Sequence, residues 1–371
     1  MVCPYNYFRP GGVQTCVREL SVDLRKRGHY VKVIAPNPRR QVRYEKDNNL
    51  ILLGGSTEFN TPFHTKADIG MTRDRELIDD LFEKEQFDIL HIHEPGLPLF
   101  GVQLLARSSA KNVGTMHASL PDSMISKSFE KLMTPVARFI EPRLAAITAV
   151  SEVAKNISLG YVPHLSIEVI PNGIRLENFT PAKKRALGKR KKILFVGRLE
   201  KRKGVMHLLR AFAELAKEHA DVELIVVGDG RLRSRLENYV ERNEIPRIKF
   251  LGFVSEKKKI GLLQEADIFC SRALYGESFG IVLLEAMACG AVVVCGNNPG
   301  YKSVMTGRGK LSLVDPLSAT EFTHRLELLL YDDELREYWL QWAHTYVQQF
   351  DYSKIADKYE VLYKKVLRQK R

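Results

Sequence analysis

With 371 residues, 44% of them hydrophobic, the chain is long enough for two domains that each bury a core, and its longest apolar runs, residues 281–284 and 291–295, are too short for a membrane span. Cys3, Cys16, Cys270, Cys289 and Cys295 lie mostly in or beside apolar segments without a Cys-x-x-Cys pair, which argues against a disulfide framework and for a reduced, cytoplasmic protein. The net charge of +13 leaves nucleic acid, or anionic membrane and phosphorylated ligands, as partner classes; the basic blocks at 183–192 and 364–371 lack the interleaved aromatics of a single-strand nucleic-acid surface and read as solvated runs.

Short apolar strands alternate with amphipathic helices from end to end, the pattern of parallel sheets with crossover helices. The first strand is short, with only Met1, Val2 and Cys3 before Pro4, which predicts either a weak strand or a trimmed start. Pro10-Gly11-Gly12 makes a loop whose backbone can approach a ligand closely. Residues 13–27 then read as a helix with Val13, Val17, Leu20 and Leu24 on one face. A strand follows at 31–35, and the loop after it carries Arg39, Arg40 and Arg43.

Residues 50–53 are the next strand, 54–72 are poorly patterned, and 73–85 are helical. His91 and His93, on the strand at 88–93, share a face at spacing two, the spacing of a metal pair, but no third ligand is evident and they read as core or cleft histidines. Helices at 97–109 and 127–139 and strands at 112–116, 146–150 and 167–170 complete a first half. Pro171-Asn172-Gly173 is turn chemistry at a domain edge.

The second half opens with a strand at 192–197, a helix at 205–219 and a strand at 222–227 ending in Gly228-Asp229-Gly230, read as a tight turn more than as a phosphate loop. A helix at 231–242, a strand at 249–251, a helix at 256–264 and a strand at 267–270 lead to Tyr275-Gly276-Glu277-Ser278-Phe279-Gly280. From Ile281 to Met287 the helix is apolar on every side, so it should be buried all round. Yet it contains Glu285, which needs a donor; a ligand diol would serve. The free N–H groups near Phe279, Gly280, Ile281 and Val282 and the helix dipole suit a phosphate, so sugar, diphosphate and ribose could be spread between Glu277 and Glu285. A strand at 291–295, another at 311–314 and helices at 317–331, 334–349 and 353–368 close the chain.

Glu277 and Glu285, with seven residues between them, resemble the signature of retaining glycosyltransferases of the GT-B fold. Val2-Cys3-Pro4-Tyr5, Pro10-Gly11-Gly12-Val13-Gln14, His91-Ile92-His93-Glu94-Pro95, Thr115-Met116-His117, Ile170-Pro171-Asn172-Gly173 and Gly197-Arg198 with Lys203-Gly204 resemble the bacterial phosphatidylinositol mannosyltransferases in particular. The resemblance runs from the first residues to the last helix. It implies an α/β chain with two Rossmann-like domains facing a central cleft: an acceptor domain at 1–173, a nucleotide-sugar domain at 174–350, and a helix at 351–371 returning to the first domain.

The same resemblance implies roles. Arg198 and Lys203 would neutralise the departing diphosphate, His117 would hydrogen-bond the donor sugar, and Glu277 would hold that sugar without attacking it. Gly11 and Gly12 would face the diphosphate, Glu285 the ribose, and Val254 with Lys259 the base. Such enzymes use side-chain cations and a helix terminus where others use a metal, so no cofactor is expected beyond the co-substrate. The function implied is transfer of a sugar, most simply mannose from GDP-mannose, to phosphatidylinositol or a related glycolipid, at the inner face of the cell membrane. A UDP-sugar enzyme for a diacylglycerol glycolipid or exopolysaccharide is the alternative within the fold; a basic nucleic-acid-binding module is the alternative outside it, and it has no use for Arg198, Lys203, Glu277 and Glu285 together. The 73–85 helix has more acids than bases, unlike the basic helix of those relatives, which leaves Arg39, Arg40 and Arg43 as the membrane contact.

Overall fold

The computed structural model describes residues 1–38, 47–60, 66–72, 74–97, 99–117, 124–160, 162–182 and 190–369, with backbone alone at 59–60, 66–69 and 124–131. The chain divides into two compact units, one of residues 1–173 with 352–371, the other of residues 174–351.

In the first unit the elements are α1 (Gly12–Lys26), β1 (Val33–Pro36), β2 (Leu50–Leu53), β3 (Gly55–Asn60), β4 (Lys66–Met71), α2 (Glu76–Glu85), β5 (Ile89–His93), α3 (Phe100–Arg107), β6 (Lys111–Met116), α4 (Met124–Ile140), β7 (Ala146–Ala149), α5 (Glu152–Leu159) and β8 (Ile167–Val169). Strands β5, β6, β7 and β8 pair in that order, all parallel, and β1 pairs with β2. Val2 joins the two sets. It bridges Ile34 and Ile92 in parallel fashion, and its N–H donates to the His91 carbonyl at 2.7 Å while the Cys3 N–H donates to the Ile34 carbonyl at 2.9 Å. The short opening segment therefore sits at the centre of the sheet. Chain order reverses on either side of it, so the loops after Cys3 and after β5 flank a switch point, where open α/β sheets bind ligands.

The antiparallel pair β3–β4 falls in the stretch read as poorly patterned. Thr57, Glu58 and Asn60 alternate too little with apolar residues to mark a half-buried strand.

The second unit contains β9 (Lys191–Val196), α6 (Val205–Glu218), β10 (Val222–Val227), α7 (Arg233–Arg242), β11 (Ile248–Gly252), α8 (Glu256–Glu265), β12 (Ile268–Ser271), α9 (Ile281–Ala288), β13 (Val292–Gly296), α10 (Pro299–Val304), β14 (Leu313–Val314), α11 (Ala319–Tyr331) and α12 (Asp333–Val347). Its sheet is parallel, in the order β11-β10-β9-β12-β13-β14. Burial of both faces explains the near-continuous apolar strands: every residue of β10 and β13 is buried. Chain order reverses between β9 and β12. The loop carrying Arg198 and the loop carrying Glu277 leave the carboxyl ends of these two adjacent strands, which puts both at a second switch point.

The closing helix α13 (Tyr352–Arg368) belongs to the first unit. Its Ile355, Tyr359, Leu362 and Val366 are buried against Leu20 and Leu24 of α1 and Val113 of β6, each such aliphatic side chain contributing roughly 1.5–3 kcal/mol.

Candidate active site

In the second unit, Arg198 lies two residues beyond the end of β9, and Lys203 ends a short 3-10 turn just before Gly204, the N-cap of α6. Between them lies a folded turn in which Glu200 accepts from two arginines, Arg198 at 3.1 Å and Arg202 at 3.2 Å. Arg202 reaches on to Glu277 at 2.6 Å, and Lys203 meets the same carboxylate oxygen at 2.7 Å. Glu277, Arg202 and Lys203 are nearly buried, whereas Arg198 is half exposed. Burial by itself would raise the Glu277 carboxyl, but Lys203 and Arg202 together hold it below its ordinary value. Desolvation lowers the Lys203 ammonium against the pull of Glu277. The result is one anion clamped by two cations, with a third cation beside it in solvent reach.

The helix α9 is not buried all round. Leu283, Leu284, Ala286, Met287 and Ala288 are buried, while Ile281, Val282 and Glu285 are only half so. Glu285 lies three positions after Val282 and four after Ile281, so the three share one face. The donor that Glu285 needs is supplied by the protein: Lys259 of α8 reaches its carboxylate at 2.9 Å and also pairs with Glu256 at 2.8 Å. Burial raises the Glu285 carboxyl, and Lys259 offsets only part of that rise. Two acids on one loop and helix thus lean in opposite directions. Val254 is half-buried beside Phe253, which is 76% exposed, an unusual position for a large ring and one suited to covering a flat ligand. Phe279 is buried and Gly280 caps α9.

The Gly228-Asp229-Gly230 turn has a structural explanation. Gly228 has φ +126°, and a Cβ there would come within 1.9 Å of the Gly197 carbonyl oxygen. Leu199 N–H donates to the Asp229 carbonyl at 2.9 Å. This turn buttresses the Arg198 loop from behind.

In the first unit Gly11 caps α1 in extended conformation, Gly12 is its first residue, and Gly12 is exposed. The backbone N–H groups of the first turn of a helix have no internal partner. His117 follows β6 and is buried with His91 and His93. Glu94, at φ +53°, accepts from the His117 backbone N–H at 2.8 Å, and His93 Nδ1 lies 2.8 Å from His117 Nε2. Burial pushes the His117 imidazolium down to about 3 and lowers His91 and His93 as well, so all three rings are neutral at physiological pH. Arg39, Arg40 and Arg43 lie outside the described residues.

Family models described as "Glycosyltransferase Family 4" and "Glycosyl transferases group 1" match residues 10–178 and 177–344. The phosphatidyl-myo-inositol mannosyltransferase of Mycobacterium tuberculosis is 31% identical over 379 residues, covering 99% of this chain and 96% of that protein. The chain belongs to the GT-B glycosyltransferases. The enzyme of the same name from Mycolicibacterium smegmatis is 32% identical, with 99% and 93% covered. In fold, this glycosyltransferase is similar to one from Rickettsia africae (TM-score 0.74, 19% identical, 100% and 98% covered) and to Anabaena HepE in complex with UDP (TM-score 0.75, 17% identical, 98% and 99% covered).

Sequence reasoning about this glycosyltransferase missed Arg202 and Glu200, which complete the clamp on Glu277. The signal was present as a run of charges from Arg198 to Lys203, but a charge run reads equally as a solvated face. It also missed the partners of His93. His91, engaged at both ring nitrogens by Tyr363 and Thr115, is not part of the group that forms; Cys16, on α1, and His117 each place a ligand-type atom within 4.8 Å of one on His93. These are N/N/S donors of the kind zinc accepts, but in the glycosyltransferase the His93–His117 hydrogen bond already engages one nitrogen of each ring.

Proposed function

We propose that the protein transfers mannose from GDP-mannose, with retention, to phosphatidylinositol or a related glycolipid. Full-length likeness to enzymes named phosphatidyl-myo-inositol mannosyltransferase carries this reading, and the Glu277 clamp supports it. Arg198 and Lys203, with the first turn of α9, neutralise the leaving diphosphate. Glu277 and His117 hold the sugar, and the leaving phosphate takes the acceptor proton in a front-face substitution. Side-chain cations serve where a metal might, so transfer persists in excess chelator. The described residues include no helix long and apolar enough to cross a membrane, and the chain is taken to work at the inner membrane face through Arg39, Arg40 and Arg43.

The test is incubation with labelled GDP-mannose, UDP-glucose and UDP-N-acetylglucosamine, each with total bacterial lipid, followed by identification of the labelled product. A mannosylated inositol phospholipid formed with chelator present is the expected result. Label transferred only from a UDP-sugar, or only to a diacylglycerol or polysaccharide, overturns the donor and acceptor assignments.

Glu285 gives a separate expectation. If its carboxylate accepts from the ribose diol, Glu285→Ala weakens nucleotide diphosphate binding by about 1–3 kcal/mol. Its raised pKa sets the sign of the pH effect. The ionised form that accepts both hydroxyls gains population as pH rises through a value above the ordinary carboxylate range, so parent affinity increases over that span while Glu285→Gln stays flat. Calorimetric titration at several pH values decides it, and parallel pH profiles for parent and variant would remove Glu285 from the nucleotide.

A further inference from the structure

We propose that His93 is a positioning residue that holds the His117 ring as its Nδ1–H tautomer and so aims that N–H at the donor sugar. This rests on the reading that places His117 at the sugar. His93 is fully buried, and its ring stacks on His91 with centroids 4.4 Å apart. His91 is itself pinned at both nitrogens, to the Tyr363 hydroxyl at 2.6 Å and to the Thr115 hydroxyl at 2.7 Å. The His93 ring therefore has a fixed plane and a fixed partner.

The proton count on that partner follows from which atoms are satisfied. His93 Nδ1 and His117 Nε2 are 2.8 Å apart. Between two neutral rings one nitrogen donates and the other accepts. If His117 donated, His93 would carry its own proton on Nε2, and that atom is buried with no hydrogen-bond partner. A buried N–H without an acceptor is among the arrangements proteins avoid most consistently. With the proton on His93 Nδ1 the orphan is a bare nitrogen, and His117 Nε2 becomes the acceptor. The remaining proton of His117 then sits on Nδ1, which has no hydrogen-bond partner among the described residues. The backbone of His117 cannot drift either, because Glu94 holds its N–H at 2.8 Å. The state of one imidazole nitrogen is set by the hydrogen bond the other makes, and here a neutral, preset N–H donor is left for a sugar hydroxyl.

The experiment is nitrogen NMR of the His117 ring in full-length, 15N-histidine-labelled protein, with transfer kinetics on the same samples. In the parent, Nδ1 is expected to be protonated and Nε2 bare. In His93→Leu, which keeps bulk but loses the donor, the proton should shift to Nε2 and kcat should fall roughly ten- to a hundredfold with unchanged nucleotide affinity. In His93→Asn, whose amide nitrogen can reoccupy the Nδ1 position, both should largely recover. A parent spectrum with the proton on Nε2 overturns the proposal without recourse to any variant, as does a His93→Leu spectrum identical to the parent. A tautomer that shifts as expected while transfer is untouched overturns the placing of His117 at the sugar, and with it the use assigned to His93.

Discussion

Replacing Glu277 with glutamine is expected to lower kcat by roughly 10²–10³, the loss typical of removing one group aimed at developing charge, while affinity for a nucleoside diphosphate holds or rises. The geometry separates the two effects. In the free protein Glu277 is the counter-charge of Lys203 at 2.7 Å and Arg202 at 2.6 Å. A diphosphate arriving at these cations competes with the carboxylate for them. The amide of Glu277→Gln keeps the shape but no longer competes, so the cations are freer for the ligand. Once they turn to the phosphate, Glu277 is released to accept from sugar hydroxyls, and the amide does this poorly. Stability shifts too. The folded pKa of Glu277 lies below its unfolded value, so the ionised carboxylate favours the folded state across neutral pH, and that contribution fades only as pH falls below the ordinary carboxylate range. The variant should therefore be less stable than its parent at pH 7 and should approach it in acid. Calorimetry with GDP, steady-state transfer and thermal unfolding at two pH values test all three. A nucleotide affinity that falls in step with kcat would show that Glu277 serves the diphosphate and not the sugar.

The alternating pattern of apolar strands and amphipathic helices made the parallel sheets legible, because strands buried on both faces, such as Val222–Val227 and Val292–Gly296, admit little else. The Glu277 loop and α9 were legible for the opposite reason, a carboxylate where the apolar pattern allows none. What the pattern could not convey was pairing. Lys259 and Glu285 are 26 residues apart and meet at 2.9 Å, and this contact supplies from within the protein the donor for which the sequence suggests a ligand. Likewise Val2 reads as too little strand, yet neighbours on both sides complete it. The half-exposed side of α9 was hidden because Ile281 and Val282 are apolar; apolar residues at a ligand site look like core until the neighbours are known.

A methyl group added at Gly300 should cost as much as a mutation in the site itself. Gly300 lies on α10, and a Cβ there would stand 2.1 Å from the carbonyl oxygen of Glu277, 2.5 Å from its carbonyl carbon and 3.0 Å from that of Ser278. All three are backbone atoms, so no side-chain rotation relieves the clash. The helix cannot retreat easily. Its cap Asn298 accepts from Tyr301 N–H at 3.0 Å and donates to the Ala273 carbonyl at 3.0 Å, and the buried Tyr301 hydroxyl meets Ser271, the last residue of β12, at 2.6 Å. The Glu277 loop is the part that yields, by about an ångström. A shift of that size in a positioned group costs on the order of 10²-fold in rate, and overpacking costs about 1–3 kcal/mol of stability. Gly300→Ala is thus expected to fold, to unfold at lower temperature, and to lose roughly a hundredfold in kcat/KM. Gly261→Ala on α8, where no atom lies within 4 Å of the added carbon, is the control; it should leave transfer unchanged and stabilise slightly, as alanine does in a helix interior. If Gly300→Ala transfers sugar as fast as the control, the position of Glu277 is not what the reaction depends on, and the carboxylate's role at the sugar fails with it.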